Sequence, residues 1–393
     1  MKRLSITLVL VYLTFFSSAL SEIKVGIVLG FTGPIESLTP LMAESAELAL
    51  KEASNSEVFL NGKKITSIRA DSTCNDVDAA TKAAEDVIAQ GVIAIIGAVC
   101  LEETKSILLE SALPNEIVMI SPAATSPALT NLKNKGFFFR TTASESRGGE
   151  ILADITKDNK IKKIAITYTN DDYGKTLATV YKKALEEYGI KITISLPYEF
   201  GKTDFSSEVA NFVSAGGDAI AILGSFEKGG EEIIQASLDS GAFDRFIFSD
   251  RMINESLMNV FGKKLKKSTG YISGSIGKGA NYFHKVAEAG GIDSSAPYVG
   301  ESYDAAALIV LAMQAGQSSD KKTIANNIMN IANSPGIKIY PGELKKGIEL
   351  LKKGKEIDYE GASRVNFTTN GETKGSFLEL KFKGKKFISN KQR

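Results

Sequence analysis

Histidine occurs once in the 393 residues, cysteine twice and tryptophan not at all. A Ser-His-Asp or Cys-His site would have to use His284. That residue stands in KGANYFHKVAEAG, an ordinary helical stretch with no partner nearby. One His and two Cys do not assemble a zinc site without help from carboxylates. The sequence also lacks GxxxxGK[ST], GxSxG and HExxH, which removes the phosphate-cradling loop, the nucleophile elbow and the helical zinc motif. The glycines Gly277, Gly279, Gly290 and Gly291 do not follow a first strand into a helix, as a dinucleotide site requires. No catalytic residue, metal or cofactor is therefore expected, and the chain reads as something other than an enzyme. Excess charge is missing too: 47 Lys+Arg face 46 Asp+Glu, whereas nucleic-acid binders show a basic surplus. The run Lys263, Lys264, Lys266 and Lys267 reads as a solvated face. Asp171 and Asp172, adjacent acids in a strand-to-helix loop, read as a helix cap rather than an acid-base pair.

What is present begins with an address. Lys2 and Arg3 precede an apolar run from Leu4 to Phe16, and the small residues Ser17, Ser18 and Ala19 follow. This is the layout of a secretory signal peptide over residues 1–21, with a mature start near Glu22. No Cys follows the run, so a lipid anchor is not indicated. Without residues 1–21 the count is 45 basic against 46 acidic residues, a net −1. Export to the periplasm or another extracytoplasmic space favours a disulfide between Cys74 and Cys100, two free buried thiols being the alternative.

Beyond Glu22 strand and helix patterns alternate. Ile23–Gly30 is a buried strand, and Thr39–Ala53 has helical spacing, with Thr39 as cap and Pro40 in the first turn. Strands at 92–97 and 117–121 and a helix over 101–112 follow. In the next stretch, strand starts near 161, 190, 218 and 245 are spaced by 29, 28 and 27 residues. That interval fits βα units, which give parallel sheets covered by helices. Helices are expected at 280–289, 298–315 and 321–331, and a β-like tail turns at Asn370-Gly371. The length suggests two domains at about 100–200 residues each. No low-complexity linker separates them, so two lobes joined at a cleft by short strands are expected.

In open parallel sheets ligands bind beyond the carboxyl ends of strands. The corresponding loops are 30–34, 97–103, 121–126, 169–174, 224–230 and 249–253. They hold hydroxyls and backbone N–H groups beside helix starts, the carboxylate of Asp250, and the rings of Tyr173 and Phe226.

The residues IKVGIVLGFTGP, the DSTCNDVDAATKAAEDVIAQGVIAIIGAVC stretch with its paired cysteines, MISPAATSPALT, FFFRTTASES, NDDYGK and PYVGESYDAAALIVLA resemble the type I periplasmic solute-binding proteins of ABC importers, in the Leu/Ile/Val-binding branch. The resemblance covers nearly the whole chain after residue 21. It implies an α/β fold of two Rossmann-like lobes with parallel sheets flanked by helices. Three hinge crossovers are implied near Thr141–Ser144, Ser273–Ser275 and Asn370–Gly375. Lobe 1 would comprise 22–142 and 275–370, lobe 2 143–274 and 371–393. The resemblance also implies the Cys74–Cys100 disulfide, a monomer, ABC permease subunits as partners, and a small polar ligand, most simply a branched-chain or other aliphatic amino acid. On the family pattern Ala123 and Thr125 contact the ligand head group, Tyr173 and Phe226 flank it, and Asp250 holds an α-ammonium. Leu101 departs from the pattern, because a Ser that bonds the carboxylate usually stands there. A carboxylate left short of a donor costs about 1–3 kcal/mol. Leu38 also stands where an aromatic residue is common. Amides, ureas and small carboxylates are thus alternative ligands, and Glu102 would suit a cationic or amide one. A sensory binding protein of the same fold is an alternative role. An exported hydrolase and a sugar-responsive repressor are disfavoured, the first lacking a nucleophile elbow and the second a DNA-binding helix pair.

Overall fold

The computed structural model describes residues 22–199, 201–202, 204–273, 277–384 and 386–393. The expected signal peptide and the lobe boundary at 274/275 lie outside the described residues. Among the described residues no helix is long and apolar enough to cross a membrane.

The first half builds β1 (Ile23–Leu29), α1 (Thr39–Asn55), β2 (Ile65–Asp71), α2 (Val77–Ala89), β3 (Val92–Gly97), α3 (Leu101–Ser106), β4 (Val118–Ser121) and β5 (Phe138–Arg140). These strands form one parallel sheet of order β2-β1-β3-β4-β5. The expected helix over 101–112 is α3 continued by a π-helical turn, Ile107–Ala112. Thr39, expected as the cap, is instead the first helical residue, and its hydroxyl donates to Gly30 O at 2.8 Å.

The chain then builds α4 (Glu145–Asp158), β6 (Lys163–Thr169), α5 (Asp172–Glu187), β7 (Lys191–Tyr198), α6 (Ser206–Ala215), β8 (Ala219–Leu223), α7 (Glu231–Asp239), β9 (Phe246–Phe248), α8 (Glu255–Phe261) and β10 (Thr269–Ser273). It next forms α9 (Lys278–Ala289), α10 (Val299–Ala315), α11 (Lys321–Ala332), β11 (Ile337–Ile339), α12 (Leu344–Lys352) and β12 (Ile357–Tyr359). A final hairpin, β13 (Phe377–Lys383) and β14 (Lys386–Gln392), completes a seven-stranded sheet of order β14-β13-β10-β9-β8-β6-β7. The sheet is parallel from β7 to β10, as the βα spacing requires, but β13 and β14 pair antiparallel. The reason is local: no crossover helix intervenes between those two strands, and a short turn can join only antiparallel neighbours.

Packing follows from which faces are apolar. Helix α10 is buried from Val299 to Gln314, and its all-round apolar sequence belongs inside a core. It shares one hydrophobic cluster with α1, β1, β4 and the helices after residue 278. Residues 143–273 and the final hairpin pack in two other clusters on the second sheet. Among the buried polar residues of α10, Asp304 accepts hydrogen bonds from Tyr359 Oη, Ala362 N, Ser363 N and Ser363 Oγ at 2.7–2.8 Å. A buried carboxylate survives there because every neighbouring donor is aimed at it.

The chain passes between the sheets after β5, after β10 and before β13. Two of these passages run side by side. Arg140 N donates to Gly371 O at 3.0 Å, and Arg140 pairs in parallel with Glu372. Gly375 lies so close to Ala143 that a Cβ there would come within 2.3 Å of the alanine methyl, and its φ of +67° also favours glycine. Arg140 is fully buried. Its guanidinium donates to Ala124 O at 3.1 Å, Ser126 O at 2.9 Å, Thr130 Oγ1 at 2.9 Å and Glu372 Oε1 at 2.6 Å. One side chain thereby fixes the loop after β4 and clamps two passages together.

Candidate functional site

The carboxyl ends of β4, β6, β8 and β9 converge where the two sheets face each other. The loop after β9 turns sharply through Ser249 into a single helical turn, Asp250–Met252. This turn presents Asp250 and Arg251 in succession. The loop after β6 is closed by Asp171, which accepts from Gly174 N at 2.8 Å and caps α5 as expected. That cap delivers Tyr173 to the same place. Tyr173 Oη donates to Asp250 Oδ1, and Tyr298 Oη donates to Asp250 Oδ2. Arg251 N also donates to Oδ1, at 3.0 Å. Tyr298 heads α10, from the first lobe's core, so the bond to Asp250 joins the two lobes. Its φ of +63° is left-handed, a conformation that costs a non-glycine residue roughly 1–2 kcal/mol.

Opposite stands the loop after β4. Ser121 Oγ donates to Ala98 O at 2.5 Å and accepts from Ala123 N at 3.3 Å and Ala124 N at 2.8 Å. Thr125 Oγ1 donates to Glu145 Oε1, and Glu145 N donates to Thr125 O at 2.9 Å. Glu145 is buried and its Oε2 has no hydrogen-bond partner. Burial pushes its pKa up to about 8, reinforced by Asp172 and Asp250 and opposed by Thr125 and Arg251. It therefore carries a proton at neutral pH. Burial, together with the charge of Asp250, holds the Tyr173 and Tyr298 phenols well above their usual range, so both remain donors.

Arg251 completes the cluster. It is only 6% exposed, and its guanidinium lies 3.9 Å from the centre of the Tyr173 ring. Burial opposes its charge, but Tyr298, Tyr173, Asp250 and Asp171 outweigh that and raise its pKa.

Of the expected ligand residues, Thr125, Tyr173 and Asp250 come together here, with Ala123 in the adjoining turn. Phe226 is 1% exposed and stands edge-on to Phe261, ring centres 6.3 Å apart, within the apolar cluster of the second lobe. Leu101 starts α3 directly after the disulfide and packs against a first-lobe cluster. Cys74 and Cys100 are bonded to each other. Glu102 is exposed and pairs with Lys105. His284 shares a hydrogen bond with Ser294 Oγ at 2.6 Å on the surface. Three cluster members lay outside the expected set: Glu145, Arg251 and Tyr298. Arg251 stands inside a loop already singled out by its position after a strand, while Tyr298 and Glu145 reach the site by tertiary packing.

A cavity of about 780 Å³ forms a neighbouring groove between the lobes. Leu38, Met258, His284, Pro297 and Phe387 are among its walls, and none of Thr125, Tyr173, Asp250 or Arg251 is. It offers room, but the convergent buried charges that mark a recognition site lie in the cluster beside it.

A family model described as periplasmic binding protein matches residues 22–332. The Leu/Ile/Val-binding protein homolog 3 of Brucella melitensis is 29% identical over 222 residues, 55% of this chain and 58% of its own length. The chain thus matches about three-fifths of that relative. Among solved structures, the branched-chain amino acid transporter substrate binding protein LivJ of Streptococcus pneumoniae, in complex with isoleucine, superposes with a TM-score of 0.78 at 19% identity, covering 94% of this chain and 98% of LivJ. A solute binding protein of an ABC transporter from R. palustris, in complex with benzoate, superposes with a TM-score of 0.75 at 16% identity, covering 95% and 96%. These likenesses establish the fold as two α/β lobes with helix-flanked parallel sheets, and the chain belongs to the periplasmic binding protein family.

Proposed function

We propose that this chain is the extracytoplasmic solute-binding component of an ABC importer, taking a small polar ligand between its lobes and delivering it to membrane permease subunits. The observation that carries the reading is the bond network at Asp250, whose two oxygens join Tyr173 of one lobe to Tyr298 of the other. Such a junction couples occupancy of the cleft to the angle between lobes, because ligand-dependent contacts differ between open and closed states. The lobes are 22–142 with 275–370 and 143–274 with 371–393. The leader 1–21 is a signal peptide, and the chain works as an exported monomer without catalysing a reaction.

An aliphatic amino acid, as in the isoleucine complex of LivJ, is the leading ligand. Its α-ammonium is assigned to the remaining acceptor position on Asp250 Oδ2, since a carboxylate has about four such positions and three are filled. Ala123, Thr125 and Tyr173 surround the rest of the head group, with Phe226 and Leu101 behind. A second reading, a carboxylate without an ammonium, is favoured by Leu101 in place of a hydroxyl donor and by the benzoate complex of a related fold.

Thermal-shift measurements with amino acids, amides, ureas and short carboxylates test the reading. A ligand present at a hundred times its Kd stabilises by about 2.7 kcal/mol, a clear rise in melting temperature. Leu, Ile and Val are expected to produce that rise. No rise with them, alongside a rise with another solute, overturns the amino-acid assignment. Asp250→Ala is expected to abolish binding of any ammonium ligand, and unchanged affinity contradicts its role.

A further inference from the structure

A guanidinium has five N–H donors and no ordinary means of losing its charge. Burying one without acceptors is costly, so buried arginines are paired. Arg251 breaks that rule. It is 6% exposed, its Nε is fully buried without a partner, and no hydrogen bond or salt bridge to its guanidinium is found among the described residues. Of the carboxylates whose charge reaches it, Asp171 accepts from Thr169 Oγ1 and Gly174 N, and Asp250 is already engaged by two phenols and a backbone N–H. The other nearby carboxyl, Glu145, is held protonated at neutral pH and presents an unpartnered Oε2. The ring of Tyr173 lies under the guanidinium, 3.9 Å from its carbon to the ring centre.

We infer that Arg251 is the carboxylate receptor of the cleft: it forms the paired N–H to oxygen bonds with a ligand carboxylate, and Glu145 Oε2 is positioned to donate a further one. This deepens the proposed function and rests on it for the location of the ligand. The geometry supplies what Leu101 does not, a donor for the ligand's anionic end, but supplies it from the second lobe. It also sets the ligand class. With Asp250 bonded to two phenols and Glu145 neutral, the planar guanidinium is left to pair with a ligand carboxylate in bidentate fashion. The required feature is a free carboxylate, whether it belongs to an amino acid or to an organic acid lacking the ammonium.

Calorimetric titration of the purified chain with four probes tests this: L-leucine, 4-methylpentanoate (leucine without its ammonium), L-leucinamide (leucine without its carboxylate) and benzoate. At least one of the three carboxylates is expected to bind, and leucinamide is expected to bind at least about a hundredfold more weakly than leucine. Arg251→Gln is expected to weaken the bound carboxylate by about ten- to a hundredfold, the loss of hydrogen bonds to a charged group, with Arg251→Lys intermediate. Leucinamide binding as tightly as leucine, unchanged carboxylate affinity in Arg251→Gln, or no binding by any carboxylate of the set overturns the inference. Binding of 4-methylpentanoate or benzoate without leucine sustains the role of Arg251 while overturning the amino-acid reading. Leucine binding equally to the unaltered chain and to Arg251→Gln does the reverse. Circular dichroism establishes that the variant is folded; should it not fold, the four probes on the unaltered chain decide alone.

Discussion

Two arginines of this protein are buried almost equally, and their surroundings could hardly differ more. Arg140, at the hinge, directs its guanidinium at two carbonyls, a hydroxyl and the carboxylate of Glu372. Arg251, in the cleft, directs its guanidinium at none of these among the described residues and rests on an aromatic face. The same side chain at the same depth thus serves opposite ends. At the hinge a charge is compensated internally, which locks the backbone of the loop after β4 and of two passages between lobes. In the cleft a charge is left for an external group. The contrast separates structure from recognition more sharply than burial alone: both Nε atoms lack a partner, but only Arg140 has its terminal N–H groups engaged by acceptors among the described residues.

The largest effect should come from exchanging each arginine for an apolar residue of similar length. Arg140→Met leaves Glu372 and two buried carbonyls unpaired, and is expected to lower the unfolding free energy by about 3–5 kcal/mol. Arg251→Met removes a charge without a bonded partner and is expected to cost at most about 1 kcal/mol in the unliganded protein, because an apolar replacement avoids the desolvation penalty. Urea unfolding of the two variants compares them directly. Equal losses would erase the distinction.

The next prediction concerns Glu145, whose folded pKa is raised from the ordinary 4.5 to about 8, chiefly by burial. The folded state then binds a proton that the unfolded state has released between those two values. Stability is therefore fullest below about pH 4.5 and falls as pH rises toward 8. The contribution is on the order of a few kcal/mol, at 1.36 kcal/mol per pKa unit. Unfolding free energies at several pH values between 5 and 8 should show a decline that Glu145→Gln flattens. A decline of the same slope in the variant assigns it to other groups.

A smaller effect is expected from Tyr298→Phe, which removes one hydroxyl bond to a charged carboxylate, about 1.5–3 kcal/mol before relaxation. Because that bond spans the lobes, the loss should appear as opening. Small-angle scattering of the unliganded variant is expected to give a larger radius of gyration than the parent chain. No change would mean that Tyr298 merely fills space.

Much of the fold was legible because local patterns agreed with tertiary packing. The βα spacing put strand starts near 161, 190, 218 and 245, and β6 to β9 begin at Lys163, Lys191, Ala219 and Phe246. The apolar stretch from 298 to 315 is the buried α10. The site was legible only where its residues follow strands, as Thr125, Tyr173 and Asp250 do. Glu145 was not legible, because it follows a passage between lobes rather than a strand of the pattern. Tyr298 was not, because its placement depends on α10 crossing back from the far end of the chain. Helices α4, α8 and α12 were also unread, and in α4 the pair Gly148-Gly149 weakens the local signal. There a side chain would collide with Tyr271 and Val180, a constraint of close packing that no local pattern conveys. Leu101 and Phe226 follow strands as well, yet pack into apolar clusters, so position after a strand narrows the candidates without selecting among them.

The most direct test of the account is a crystal structure grown with the tightest-binding carboxylate from the titrations. Ligand density is expected between the loop after β4 and the turn at Asp250, with a carboxylate oxygen within hydrogen-bond distance of an Arg251 guanidinium nitrogen. Density seated instead in the neighbouring groove beside Leu38, His284 and Phe387, with the Arg251 guanidinium still unpartnered, would contradict it.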